Sequence, residues 1–133
     1  MLREARLQDM INVLEAVDPE PPVPFIRGAF EEADRILERS RGLAEEGWMV
    51  VETWMRDHRT PRIVRPDGGI LAWAVLPEGT TGTVAAEQLL EEGVGVTPGR
   101  FFGDDSGFRF TFGIGNPGFL REGLDVFARV LVD

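Results

Sequence analysis

Arg109 stands in the middle of Phe108-Arg109-Phe110-Thr111-Phe112, an apolar run in which a charge is out of place unless it is paired or used. The guanidinium fork matches a carboxylate with two parallel hydrogen bonds, so two readings stand: an internal ion pair, or a site for the carboxylate of a ligand. Few other side chains could carry chemistry. The chain has no cysteine, which excludes disulfides, thiolate zinc sites and a cysteine nucleophile. All 14 basic residues are arginine, so no side-chain amine can form a Schiff base. His58, the only histidine, has no nucleophile or orienting group beside it in the sequence and reads as a surface residue at a helix end.

Three further patterns have structural readings. Arg56, Arg59, Arg62 and Arg65 could meet a phosphate or an acidic partner, but such a run is more commonly a solvated loop paired with carboxylates. The carboxylate pairs Glu45-Glu46, Glu91-Glu92 and Asp104-Asp105 do not converge by spacing, and they are read as solvated charge without a metal site. Gly113-Ile114-Gly115-Asn116-Pro117-Gly118 matches G-x-G-x-x-G literally. A dinucleotide site also needs a second parallel strand and an acidic residue about 20 positions on, and the glycines are read as a turn into the last helix.

The elements that must position these residues are legible in outline. Leu7, Met10, Ile11, Leu14 and Val17 recur at helical spacing. The proline-rich stretch from Asp18 to Pro24 follows as a spacer. Residues 1–26 are therefore expected to form an N-terminal helix and spacer, and residues 27–133 a second region. A long helix is expected from Phe30 to Asp57, with Gly42 and Gly47 marking a bend or close packing. Strands are expected over Gly69–Leu76, Val94–Thr97 and Phe108–Phe112, with a helix over Thr83–Glu92 and another from Pro117 to about Leu131. In the last strand the three phenylalanines face one way, and Arg109 and Thr111 the other. This order predicts an α+β fold: a small, mainly antiparallel sheet of three to four strands, preceded by a long helix, with helices packed on one face.

Composition narrows the partners. In 133 residues, 43% apolar and 28% charged, no apolar run approaches a membrane span. A net charge of −9 works against nucleic acid and anionic membranes. The charged start Met1 to Arg6 lacks an apolar targeting core, so the cytoplasm is the expected compartment.

Three stretches taken together resemble a known family. Arg65-Pro66-Asp67-Gly68-Gly69-Ile70-Leu71-Ala72-Trp73, followed by Leu76-Pro77, is similar to a P-x-G-G-x-F-x-W…L-P pattern. Gly93-Val94-Gly95-Val96-Thr97-Pro98-Gly99-Arg100-Phe101-Phe102 is similar to G-V-x-V-x-P-G-x-x-F. Gly107 to Gly113 resembles an R-[LI]-S/N-[FL]-A strand. In this order and spacing they resemble the C-terminal small domain of a fold-type I aminotransferase dependent on pyridoxal phosphate (PLP). The resemblance implies that Arg109 grips the α-carboxylate of an amino-acid substrate and that Gly68, Gly69, Pro98 and Gly99 hold structural turns. The Schiff-base lysine and the cofactor cradle would belong to a large domain of roughly 200 or more residues, which residues 1–133 do not contain. The expectation is therefore no catalytic residue, no metal and no PLP held by this chain alone. Its expected partners are a large aminotransferase domain or a second copy of itself. The alternative is a non-catalytic interaction module.

Overall fold

The computed structural model describes residues 2–17 and 23–131; the expected spacer residues Asp18 to Pro22 lie outside them. The described chain forms two compact units, Met1–Arg39 and Ser40–Asp133.

In the first unit, α1 (Leu2–Val17) and α2 (Val23–Glu31) are joined by contacts of Leu7 and Ile11 with Ile26, flanked by Val23 and Phe30. An exposed Arg27–Glu4 pair at 3.2 Å adds to them. Of the expected α1 stripe, Leu7 and Ile11 are buried and Met10 is exposed, while the Leu14 and Val17 side chains lie outside the described residues. Val23 and Pro24, expected as spacer, begin α2, where proline in a first turn removes no needed hydrogen bond. The helix expected to start at Phe30 is thus divided between α2 and α3 (Ala33–Asp57). The interruption is slight, since Glu32 N–H still reaches the Gly28 carbonyl at 3.1 Å and Ile36 N–H the Glu32 carbonyl at 3.0 Å.

The second unit is organised by a four-stranded antiparallel sheet in the order β1-β2-β4-β3, formed by β1 (Arg62–Val64), β2 (Leu71–Val75), β3 (Thr97–Pro98) and β4 (Gly107–Thr111). Period-two alternation divides its two faces. Ile63, Ala72, Ala74, Phe108 and Phe110 point to one face and are buried there. Trp48, Val51 and Trp54 of α3 pack on that face with Ala85 and Leu89 of α4 (Gly82–Glu91) and Leu120, Leu124 and Phe127 of α5 (Pro117–Val130). Ala72 and Ala74 leave room for the larger rings around them. Phe127 meets Phe108 and Phe110 edge-on, each at 5.2 Å, and Trp48 meets Phe112 at 5.5 Å, geometries favoured by the ring quadrupoles.

Local chemistry sets the ends of these elements. Thr81 caps α4 by accepting from Val84 N–H at 3.2 Å, and Asn116 caps α5 by accepting from Phe119 N–H at 3.1 Å. Asp105 supplies a second fastening: its carboxylate accepts from Thr83 Oγ1 at 2.8 Å, Thr83 N–H at 3.3 Å and Arg100 N–H at 3.0 Å. It thereby ties the turn before β4 to the start of α4 and to η1, the 3₁₀ turn Gly99–Phe102. Asp105, expected to be solvated charge, is a structural acceptor. At the end of α3 the His58 ring stacks on Trp54 at 4.3 Å, and its Nδ1 donates to the Trp54 carbonyl at 2.9 Å. His58 is half-buried there, so it is a helix-end residue as expected but not a freely exposed one.

Two sequence expectations give way here. The segment around Arg62, expected as loop, forms β1, because Ile63 is buried against the core between two exposed residues. The strand expected over Val94–Thr97 is reduced to Thr97–Pro98. Gly93, at φ 83°, and Val94, whose N–H returns to the Leu89 carbonyl at 2.9 Å, close α4 in the space where it would begin.

Gly47 and Gly42 resolve into different roles. A Cβ on Gly47 would collide with the backbone of Phe112, so α3 passes against the end of β4 only because that side chain is absent. A Cβ on Gly42 would meet nothing. In urea titrations, Gly47→Ala is expected to destabilise by about 1–3 kcal/mol, and Gly42→Ala to stabilise by about 0.5–1 kcal/mol. Desolvation pushes the Asp105 carboxyl up, but its bonds to Thr83 and Arg100 and the Arg100 charge outweigh this and hold it below the usual 3.8. That contribution is fully present above the unfolded-state value and is lost as pH falls through the lowered folded-state value. Asp105→Ala should therefore lower Tm at neutral pH and flatten the acid limb of Tm against pH, as read by circular dichroism.

Candidate functional site

The sheet face opposite the helices is where the charge lies. Cross-strand partners share a face, so the register Thr97↔Arg109↔Trp73↔Val64 lays one row of side chains across the full width of the sheet. Val75, paired with Arg62 and Gly107, belongs to the next row, and Leu71, paired with Thr111, to the one beyond. Arg109 sits at the centre of this surface.

Its surroundings are aromatic. The Arg109 guanidinium lies 4.5 Å from the centroid of the Phe102 ring, and Phe102 meets Trp73 edge-on at 6.3 Å. The contact restrains a long side chain while leaving its donors unsatisfied. Trp73 has its own seat: a Cβ on Gly99 or on Gly107 would strike the indole as well as nearby backbone. Two glycines therefore let Trp73 lie down on the sheet.

Among the described residues, Arg109 makes no ion pair and no hydrogen bond. Arg65 instead pairs with Glu45 at 3.3 Å and lies over Trp48 at 5.4 Å, and Arg129 pairs with Glu92 at 2.8 Å. Of the basic run, expected as a solvated loop paired with carboxylates, only Arg65 acquires such a partner among the described residues.

The other positions picked from the sequence take up supporting places. Gly68 and Gly69 lie in the turn joining β1 to β2, where Gly69 has φ 80°, a conformation open to glycine. Pro98 is buried in β3, and Gly99 opens η1 beneath Trp73. The glycines of Gly113 to Gly118 turn the chain from β4 into α5, with φ 69° at Gly115. Among the described residues no cluster of His, Cys, Asp or Glu could hold a metal ion, and no helix is long and apolar enough to cross a membrane. A cleft of about 420 Å³ that does not include Arg109 lies between residues 93–96, the end of β4 and α5. It is lined by Val96, Ile114, Phe119 and Leu120 with Thr111, Glu92 and Glu122, and no arginine or histidine is among its lining residues.

Sequence reasoning did not place Phe102 beneath Arg109 or Trp73 beside it. The second could have been found: small Ala72 and Ala74 alternate with large Leu71, Trp73 and Val75, so the bulky set faces outward. The near-continuous apolar run conceals that alternation.

No family model matches the sequence, and no curated protein matches it. Solved structures do. The α-aminoadipate aminotransferase of Thermus thermophilus, complexed with N-(5'-phosphopyridoxyl)-L-leucine, is 24% identical with a TM-score of 0.73, over 96% of this chain and 35% of that one. A PLP-dependent aminotransferase from Streptococcus suis is 25% identical with a TM-score of 0.69, over 84% and 30%. The aspartate aminotransferase of Thermus thermophilus with maleate is 29% identical with a TM-score of 0.55, over 80% and 26%.

If Arg109 is free for a ligand, removing its charge should leave the fold intact. Arg109→Met is expected to change unfolding free energy by less than about 1 kcal/mol, the scale of the lost ring contact. Breaking a buried ion pair would cost about 3–5 kcal/mol, and urea denaturation separates the two.

The chain spans about a third of the length of the structures it matches, and over that span it resembles the PLP-dependent aminotransferases.

Proposed function

We propose that the open sheet face is the carboxylate-gripping part of an amino-acid transaminase, with Arg109 as the group that holds the substrate's α-carboxylate. The observation carrying this reading is a guanidinium with no ion pair among the described residues, held against Phe102 in the middle of an uncovered sheet face. A bidentate hydrogen-bonded pair with a carboxylate would satisfy it. The family resemblance supports the same assignment, and the ligand of the Thermus thermophilus α-aminoadipate enzyme joins the cofactor to an amino acid.

The residues present do not fit the cofactor itself. PLP is captured through a primary amine, and the sequence contains no lysine. The chain by itself is therefore inactive in transamination and supplies orientation to a lysine-bearing large domain, its proposed partner. Self-association is the other way to cover the open face, whose Leu71, Val64 and Phe102 are exposed. No nucleic-acid or membrane partner is proposed, and the proposed compartment is the cytoplasm.

Incubating the purified chain with PLP and removing free cofactor by gel filtration should leave no absorbance from retained cofactor. Stoichiometric retention with a shifted band would overturn the claim that this chain cannot hold it. In NMR at fixed ionic strength, a monocarboxylate such as hexanoate should shift the Arg109 Nε–H resonance, and Arg109→Gln should abolish binding. Binding that survives the substitution would overturn the assignment of Arg109.

A further inference from the structure

The cleft beside α5 exists because a strand ladder stops early. β3 and β4 pair at Pro98↔Phe108 and Thr97↔Arg109 and, among the described residues, at no further position. Val96 and Gly95, next in line, line the cleft instead, together with Phe110 and Thr111 of β4. α5 supplies another wall through Phe119, Gly123 and Val126, which stand three or four residues apart and so share a helix face. Gly123 keeps that wall open. Glycine inside a helix is less stable than alanine, yet a Cβ at this position would meet nothing within 4 Å. The resulting volume of about 420 Å³ falls within the range of small-molecule sites, about 300–1,000 Å³.

The ionic side chains lining this cleft are of one sign, Glu92 and Glu122. Glu92 is matched by Arg129 at 2.8 Å. Glu122 is exposed and has no ion pair and no hydrogen bond among the described residues. Glu92 is also the C-cap of α4, so the cleft lies at the carbonyl end of a helix, which favours cations. We propose that the cleft binds a small monoamine, its apolar chain or ring against Val96, Leu120 and Phe127 and its ammonium group on the Glu122 carboxylate at the rim. Burial of the apolar part supplies affinity, and a charge-assisted hydrogen bond supplies the preference for a cation. The chemistry is opposite to that proposed at Arg109, and the site does not depend on that reading.

The test is NMR of the full chain at neutral pH and constant ionic strength, with hexylamine, hexanol and hexanoate, equal in carbon count and different in charge. Hexylamine is expected to shift the backbone amides of Gly93, Gly95 and Gly123. It should bind at least about threefold more tightly than hexanol, the scale of a solvent-exposed ion pair. Hexanoate should leave these three amides unmoved. Glu122→Gln is expected to bring hexylamine down to the hexanol level while leaving hexanol unchanged. Gly123→Leu places a side chain in the cleft and should abolish both, the remaining amide resonances confirming an intact fold; if that variant does not fold, Glu122→Gln decides alone. Hexylamine binding indifferent to Glu122→Gln would overturn the proposal. So would a hexylamine response that bypasses the three glycine amides or persists in folded Gly123→Leu. None of these outcomes bears on Arg109, whose response to hexanoate is read at its own Nε–H.

Discussion

A sheet covered on one side only is the constraint from which the rest of the second unit follows. Helix packing fills one face with Phe108, Phe110, Ile63 and the two alanines of β2, and strict alternation then forces every intervening side chain onto the other face. Arg109 stands on the open face because its two phenylalanine neighbours are buried on the other. A shift of one residue in the pairing of β4 would bury the guanidinium under α5 and expose two rings. The hydrophobic effect that buries Phe108 and Phe110 thus also sets where the charge stands.

The turn before β4 protects that register. Asp105 binds the starts of α4 and η1 at once, and η1 in turn delivers Phe102 to the guanidinium. An acidic residue outside the site therefore governs where the aromatic platform sits. The glycines at 99 and 107 contribute differently, by leaving volume for the indole of Trp73.

Much of this was legible in the sequence, and the failures have physical causes. The alternation in Phe108 to Phe112, the asparagine-proline start of α5 and the closing glycine of α4 each reflect a local rule, and each appears in the structure within a residue or two. Arg109 stood out because its neighbours are uniformly apolar. β1 was hidden because three of its neighbouring arginines read as loop, although a single buried isoleucine anchors it. Phe102 beneath Arg109 arises from a turn closing across the sheet, which no local periodicity encodes. The division of the long helical region near Glu32 was equally silent, since the amphipathic pattern continues through it and the backbone N–H groups of Glu32 and Ile36 still make helical bonds there.

The glycine floor under Trp73 has a thermodynamic meaning. Because main-chain atoms delimit the bed of the indole, that ring has little rotameric freedom left to surrender when a ligand arrives. For the proposed site, much of the ordering cost of taking a ligand would then be met during folding, a pre-organisation that lowers the entropic toll of association.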